Sequence, residues 1–219
     1  MKPILFNTEM VRAILDCRKT VTRRVVKPQP EIRPVPGEDG CYIYRGIPCG
    51  LNGMKNLAPY RPGDILYVRE TFHQTPDGQY WYKADNICDG CTEDGFCIPR
   101  GVTRHKTCGL CEYYAGHYNI KWRPSIHMPQ EAARIFLRVT DVRVERLQNI
   151  NERGPFSAVS EGFTNNIDLR GGTGKSATKH FAECWDSTIK PADRALNGWE
   201  ANPWVWVIEF ERISKEETT

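Results

Sequence analysis

The chain of 219 residues contains 40% hydrophobic and 11% aromatic residues, which excludes the low-hydrophobicity, high-charge composition of disordered proteins. Its 30 Lys and Arg against 27 Asp and Glu leave a net charge of +3, a bias too small to indicate a nucleic-acid partner by itself. No apolar run has the length of a signal peptide or a membrane span, so we expect a cytoplasmic protein with no membrane partner. The length fits one domain with an insertion, or one domain and a small module.

The first predicted elements are a short strand at residues 2–6 and an amphipathic helix from about residue 8 to residue 16. Asn7 or Thr8 provides the N-cap of this helix. Four apolar residues recur at helical spacing and predict one buried face: Met10, Val11, Ile14 and Leu15. A second strand is predicted at residues 25–27, and it ends where prolines begin an irregular loop.

The densest polar stretch of the sequence is C-R-K-T-V-T-R-R at residues 17–24, directly after the helix. Lys19 and Thr22 are three residues apart, close enough for the amine to approach the hydroxyl if the turn keeps both on one side. A partly desolvated lysine beside Arg23 and Arg24 has its ammonium form disfavoured, which lowers its pKa toward values at which it can act as a base. Such a lysine could activate Thr22. The alternative is that the stretch is a solvated surface.

The middle of the chain contains a turn, a strand and a hairpin. R-P-G-D at residues 61–64 predicts a tight turn that leads into a strand over residues 65–72. Residues 75–78 then predict a hairpin turn, and residues 79–84 its returning strand.

Nine cysteines in a cytoplasmic protein are expected to be reduced, so their spacing becomes informative. Two C-x-x-C pairs lie in an otherwise core-poor segment at residues 86–118, separated by 16 residues, and this spacing predicts a four-thiolate zinc site. Four thiolates leave no open position for a catalytic water, so the predicted Zn²⁺ is structural. Cys97 or His105 could substitute as ligands, and free thiols or an iron–sulfur cluster are alternatives. The predicted ligands are Cys88, Cys91, Cys108 and Cys111.

A second polar cluster, K-W-R-P-S-I-H-M-P, occupies residues 121–129. Its aromatic plane, cations, hydroxyl and imidazole could stack a base and contact a phosphate. The alternative is an ordinary proline-flanked loop whose tryptophan packs inward, with a structural histidine. The candidate ligand-binding residues of this cluster are Lys121, Trp122, Arg123, Ser125 and His127.

The second half of the chain contains the longest strand signal. Residues 133–147 alternate apolar and polar side chains, with a predicted bend near residues 140–141, and such long bent strands suit a small closed barrel. A final helix is predicted at residues 180–187. Residues 203–210 form a closing strand that is apolar on both faces at first, as a central strand would be.

Between these strands the pattern becomes helical near residues 154–155. Phe156, Val159 and Phe163 recur on one side of this predicted helix. Glu161 lies among them, in A-V-S-E-G-F at residues 158–163. Without further information a glutamate in this position is a surface residue of a helix.

Several of these features resemble one known family. Lys19, Thr22 and Arg24 fill the G-x-K-x-x-[T/E]-x-R signature of the ASCH family, small PUA-like β-barrel domains associated with RNA. Cys17 stands at the usual glycine, a residue that would supply a left-handed helix end at little steric cost. The R-P-G-D turn and the closing W-V-I-E-F strand are similar to the same family, and the whole arrangement looks like the ASCH proteins of phages and prophages. The A-x-x-E spacing at Glu161 resembles the catalytic glutamate of bacterial acetylcytidine amidohydrolases.

The resemblance implies an α+β fold with one ASCH/PUA-like domain over residues 1–219. The domain is expected to be a small mixed β-barrel flanked by helices, with the zinc-knuckle segment inserted. One implied function is binding of RNA or a modified nucleotide in the barrel cleft. The cationic and aromatic residues expected to line that cleft are Lys19, Arg23, Arg24, Trp122 and Arg123.

The other implied function is hydrolysis. In an amidohydrolase, Lys19 would take the proton of Thr22, and the Thr22 oxygen would attack an amide carbonyl on a modified base. Arg24 would help to hold the oxyanion, and Glu161 would protonate the leaving amine. Cleavage of RNA is a related possibility, because some ASCH domains act on RNA.

Overall fold

The computed structural model describes residues 1–33, 41–44, 46–49, 51–85, 121–150, 157–163 and 176–218. In chain order the strands are β1 (Lys2–Leu5), β2 (Val21–Val25), β3 (Glu31–Arg33), β4 (Cys41–Tyr44), β5 (Ile47–Cys49), β6 (Ile65–Arg69), β7 (Phe72–Gln74), β8 (Tyr80–Tyr82), β9 (Phe136–Arg146) and β10 (Trp204–Ile213). The α-helices are α1 (Thr8–Leu15), α2 (Leu51–Lys55), α3 (Ala177–Thr188) and α4 (Arg194–Asn197), and short 3-10 helices lie at Lys83–Asp85, Ser125–His127, Gln130–Ala132, Leu147–Asn149, Pro191–Asp193 and Glu216–Thr218. Within these ranges, none of the helices combines the length and apolarity that a membrane span requires.

The main sheet has five strands in the order β1-β6-β9-β10-β2. β1 is parallel to β6, and all other neighbours in this sheet are antiparallel. Two small sheets, β3-β4-β5 and β7-β8, accompany it. The predicted α+β class is therefore confirmed. The predicted barrel is not closed, because in the described part of the chain β1 and β2 are the outer strands of the sheet.

The strand and helix at the start of the chain are confirmed as β1 and α1. Asn7 caps the helix, since its Oδ1 accepts a hydrogen bond from the Met10 amide at 2.8 Å. The helix ends at Leu15, and two residues later Cys17 has a φ of 57°, in the left-handed region. A non-glycine residue therefore makes the turn for which glycine would be the less strained choice.

The second strand begins earlier than predicted. β2 starts inside the polar stretch, at Val21, and ends at Val25, where the prediction had placed its first residue. The reason is tertiary pairing: across the antiparallel ladder Val21 faces Glu209 and Val25 faces Val205 of β10. Pairing with this strand determines the backbone of β2 whatever the charge of the residues between its ends.

The long predicted strand is confirmed as β9, and the bend in its middle is a β-bulge. Glu209 of β10 faces Asp141, but the next residue of β10 faces Val139, so Thr140 is an extra residue in the ladder. Because of this bulge Val139 and Val142 are both buried. The predicted closing strand is confirmed as β10, which lies inside the sheet between β9 and β2.

The two faces of the main sheet bury different apolar residues. On β10, Trp206 and Ile208 belong to the core that α1 covers, which we call the α1 face. Val205 and Val207 belong to the core that α3 covers, which we call the α3 face. β2 alternates in the same way, and its Val25 packs on the α3 face. The helix predicted at residues 180–187 is confirmed as α3, although it is not the last one, since the short helix α4 follows it.

The strand predicted over residues 65–72 is interrupted, so β6 and β7 are two strands rather than one. Glu70 lies at the break and is 1% exposed. A buried carboxylate needs a partner, and the Arg134 guanidinium provides it through hydrogen bonds of 2.9 and 3.1 Å. The hairpin turn is confirmed: Gly78 has a φ of 86°, and its amide donates to the Thr75 carbonyl at 3.0 Å. The returning strand is β8.

Candidate functional site

A cavity of about 370 Å³ lies between the start of α1, strand β2, the segment that carries Glu161, and helix α3. It lies beside β2, one of the two outer strands of the main sheet. Three cations and one carboxylate line it, together with two hydroxyl residues: Lys19, Arg23, Arg24 and Glu161, then Thr22 and Thr188. Aromatic rings form much of the remaining wall: Phe6, Phe163, Phe181 and Trp185.

Glu161 and Lys19 form a buried pair in this wall. Lys19 Nζ lies 2.6 Å from Glu161 Oε2, and the two side chains are 1% and 4% exposed. The same nitrogen donates to the main-chain oxygens of Val21 and Glu161 at 2.8 and 2.9 Å. The other carboxylate oxygen, Oε1, accepts a hydrogen bond from Arg23 Nη1 at 3.0 Å. One carboxylate therefore binds two cationic side chains from the polar stretch.

The environment of Lys19 weakens its hold on a proton. Burial removes water from the ammonium group and lowers the pKa of Lys19, as does the positive charge of Arg24 and Arg23. The charge and the hydrogen bond of Glu161 oppose this shift without cancelling it. The predicted lowering of the lysine pKa is thus reproduced in direction, with burial as its main cause.

Thr22 is buried on the other side of the β2 backbone from Arg23, and its Oγ1 accepts a hydrogen bond from Arg24 Nη1 at 2.9 Å. Arg24 also donates to the Leu5 carbonyl at 2.9 Å, so its side chain bridges from β2 to β1. Burial lowers the pKa of Arg24. Among the hydrogen bonds of the described residues, none joins Lys19 directly to Thr22. Both side chains line the cavity, but they are not hydrogen-bonded to each other.

The segment that carries Glu161 is not the predicted helix in its described part, residues 157–163, which forms turns. Val159, expected on the buried side, is 44% exposed, whereas Glu161 is 3% exposed and is not a surface residue. The reason is pairing with the start of β2: the amides of Thr20 and Val21 both donate to the Ser160 carbonyl, at 2.9 and 3.2 Å.

Gly162 allows this segment to lie directly against α1 and the polar stretch. It has a φ of 96°, and a Cβ at this position would lie 2.7 Å from the Ala13 Cβ and 3.3 Å from the Lys19 Cβ. Its carbonyl accepts a hydrogen bond from Arg18 Nη1 at 2.8 Å. Glycine is required here both for conformation and for space, and its close approach brings the neighbouring Glu161 to Lys19.

The second polar cluster lies apart from the cavity. The main chain of Arg123 pairs with Phe72 of β7 through hydrogen bonds of 2.7 and 3.2 Å, which places the cluster beside the β7-β8 hairpin. Of its predicted ligand-binding residues, Lys121, Arg123 and His127 are exposed, and Trp122 and Ser125 are half-buried. The described lining of the cavity includes none of these five residues. The cleft shared by both polar clusters, expected from the sequence, is not formed.

The four predicted zinc ligands, Cys88, Cys91, Cys108 and Cys111, lie outside the described residues, as do Cys97 and His105. Prediction from the sequence also missed part of the cavity. Phe181 and Trp185 of α3 line it, but their spacing is that of any helix packed on a core. No local signal distinguishes a ring that faces a cavity from one that faces other side chains.

Comparison of the chain with models of protein families, with curated proteins and with solved structures finds no match.

Proposed function

We propose that this protein binds a modified nucleoside, free or within RNA, in the cavity and hydrolyses an amide bond of that ligand. The observation that carries this proposal is the buried 2.6 Å contact between Lys19 and Glu161 in the wall of a cavity that also holds the Thr22 hydroxyl. In the proposed reaction Lys19 is the base, Glu161 is the acid and Thr22 is the nucleophile. We also propose that the fold is PUA-like and of the ASCH type, with its barrel open at the cavity.

The lining suits such a ligand. A volume of about 370 Å³ falls within the usual range of small-molecule pockets. The aromatic rings suit a planar base, and they are joined by three cationic side chains against one carboxylate. This excess of positive charge favours a ligand with carbonyl or phosphate oxygens.

The reaction would start from a Lys19 amine and a Glu161 carboxylic acid, one of the two proton arrangements of the pair. Burial, which lowers the pKa of Lys19, favours the amine form of this lysine. The Thr22 hydroxyl proton moves to Lys19 Nζ as the Thr22 oxygen bonds to the amide carbon. The C–N bond then breaks, and the Glu161 proton goes to the leaving nitrogen. An ester on Thr22 and an ammonium–carboxylate ion pair remain.

Water completes the cycle. It attacks the ester and gives a proton to the Glu161 carboxylate, while Lys19 returns a proton to the Thr22 oxygen. Arg24, whose Nη1 lies 2.9 Å from Thr22 Oγ1, stabilises the negative charge that develops on this oxygen and on the carbonyl oxygen bonded to the attacked carbon. Both residues of the pair end in the protonation state in which they began.

Binding without reaction is a second candidate, and one observation favours it. Lys19 Nζ is hydrogen-bonded to three oxygen atoms, and in the described residues no hydrogen bond joins it to Thr22. A lysine with three acceptors is well satisfied as an ammonium group. Such a lysine would hold the loop of Glu161 in place and would present a cationic wall to the ligand.

The experiment is a hydrolysis assay with acetylcytidine, with cytidine separated by chromatography as the readout. Thr22→Val keeps the shape of the side chain and removes the hydroxyl, so we expect kcat/KM to fall about a thousandfold. Thr20→Val is the matched control, because Thr20 is exposed and its side chain makes no described contact with the cavity. Equal turnover by Thr22→Val and wild type would refute nucleophilic attack by Thr22. Binding of acetylcytidine by wild type without turnover would favour the second candidate.

A further inference from the structure

The cavity passes along the outer backbone edge of β2. Arg24 lies 5.3 Å from the Phe6 ring on the α1 face, and Arg23 lies 6.0 Å from the Phe181 ring on the α3 face. Both arginines line the cavity, as does Val25. A cavity that touches side chains on both faces of one outer strand must run past the edge of that strand. The edge of β2 that faces away from β10 is therefore part of the wall.

The hydrogen-bond pattern shows which residues turn their main-chain groups to this edge. At one end of β2 the Val26 amide donates to the Trp204 carbonyl at 3.0 Å, and at the other end the Phe210 amide donates to the Thr20 carbonyl at 2.9 Å. Even-numbered residues therefore bond to β10. In an antiparallel ladder the odd-numbered residues direct their N–H and C=O groups to the opposite side.

At Val21 these outward groups already have partners. Its amide donates to the Ser160 carbonyl at 3.2 Å, and its carbonyl accepts from Lys19 Nζ at 2.8 Å. Val25 has the same orientation further along the strand and lines the cavity. Among the described residues no hydrogen bond fills its outward N–H and C=O. Val25 thus offers a donor and an acceptor side by side, the pair that a further strand would use.

We infer that the main chain of Val25 binds the hydrogen-bonding edge of a pyrimidine base that lies in the plane of the sheet. A group bonded to a strand edge continues the sheet plane, so its two faces meet the two layers beside it. Both layers contain apolar side chains beside the two arginines, with Phe6 and Met10 on the α1 face and Phe181 and Trp185 on the α3 face. A flat ring fits between them, whereas a peptide strand would project side chains into both.

The chemistry of cytosine matches this edge. Its ring nitrogen N3 accepts a hydrogen bond from the Val25 N–H, and its exocyclic amino group donates to the Val25 carbonyl. This inference rests on the proposed function, because it takes the occupant to be a nucleoside. In this inference the main chain of Val25 determines which base is bound, and Val25 takes no direct part in the reaction.

The test compares two ligands by isothermal titration calorimetry. One is cytidine, the product of the proposed reaction, and the other is the cytidine analogue in which a C–H group replaces N3. The analogue keeps the shape of the base and leaves the Val25 N–H unpaired, so we expect wild type to bind it about tenfold more weakly. Val25→Pro removes this N–H at an edge position that tolerates proline and should bind both ligands equally. Val25→Ala keeps the N–H and should keep the tenfold difference.

A readout that needs no variant is the amide proton resonance of Val25, which should move downfield with cytidine and stay in place with the analogue. Cytidine binding with no discrimination between the ligands, or discrimination that survives in Val25→Pro, would overturn the role of Val25 and leave the proposed function standing. Failure of wild type to bind either cytidine or acetylcytidine would overturn both.

Discussion

Replacing Glu161 by glutamine tests whether the buried carboxylate holds the site together. In the wild type it lies 2.6 Å from Lys19 Nζ and 3.0 Å from Arg23 Nη1, and all three side chains are at most 4% exposed. Glutamine keeps the volume but removes the negative charge, so two buried cations lose their common counter-charge. Breaking a buried ion pair in this way lowers the free energy of unfolding by about 3–5 kcal/mol.

The loss should depend on pH, because Lys19 can release its proton. Burial already lowers the pKa of Lys19 while Glu161 opposes the shift, so in Glu161→Gln the pKa of Lys19 falls further. Between the folded and the unfolded pKa the unfolded chain binds more protons, and stability then rises with pH. The gain is at most about 1.4 kcal/mol per pH unit. The variant should therefore recover part of its lost stability between pH 7 and pH 9.

Urea unfolding followed by tryptophan fluorescence at both pH values measures this. Glu211→Gln is the matched control, since Glu211 is 54% exposed in its pair with Arg138, and we expect a change below about 1 kcal/mol. The double variant Lys19→Met/Glu161→Leu should be less destabilised than Glu161→Gln, because no charge remains at position 19. A Glu161→Gln variant as stable as wild type at pH 7, with no gain at pH 9, would show that Glu161 is not the counter-charge that Lys19 and Arg23 need.

Three further predictions concern the turn at Cys17, the close contact at Gly162 and the predicted zinc site. Cys17→Gly should stabilise the protein by about 0.5–1 kcal/mol, because the φ of 57° suits glycine better; a loss of stability in thermal unfolding would contradict this. Gly162→Ala should destabilise the protein by about 1–3 kcal/mol and reduce hydrolysis, since the new Cβ would lie 2.7 Å from a side-chain carbon of α1. Gly78→Ala is the control that measures the conformational cost alone, because Gly78 has a φ of 86° and nothing within 4 Å of a Cβ at its position. Equal losses of stability in the two variants would exclude the clash at Gly162. Elemental analysis of purified protein should find one bound zinc per chain, lost in Cys88→Ser and kept in Cys184→Ser; metal-free wild type with all thiols titratable would discard the zinc site.

Local patterns were sufficient for the parts of the fold in which neighbours in sequence decide the structure. The apolar spacing of α1, its Asn7 cap and the alternation of β9 and β10 each follow from the period of a single element. Even the bulge at Thr140 was visible, because the alternation restarts there. The onset of β2 was predicted wrongly, since its pairing with a strand nearly two hundred residues away outweighs the polar character of its own sequence.

The candidate site depends on contacts that no local pattern contains. Lys19 and Glu161 are 142 residues apart in the chain, and only the family resemblance connected them beforehand. The buried position of Glu161 follows from the fit of Gly162 against α1, a matter of packing between distant segments. The role of α3 in the cavity wall is of the same kind: periodicity identified the buried face containing Phe181 but not the cavity that it faces.

The most direct measurement is a search for the covalent intermediate. Wild-type protein mixed with acetylcytidine and quenched before a full turnover should carry an acetyl group on the peptide that contains Thr22, detected by mass spectrometry, and Thr22→Val should carry none. Hydrolysis of acetylcytidine by Thr22→Val at the wild-type rate, or an acetyl group that forms on another residue and turns over at that rate, would contradict the account.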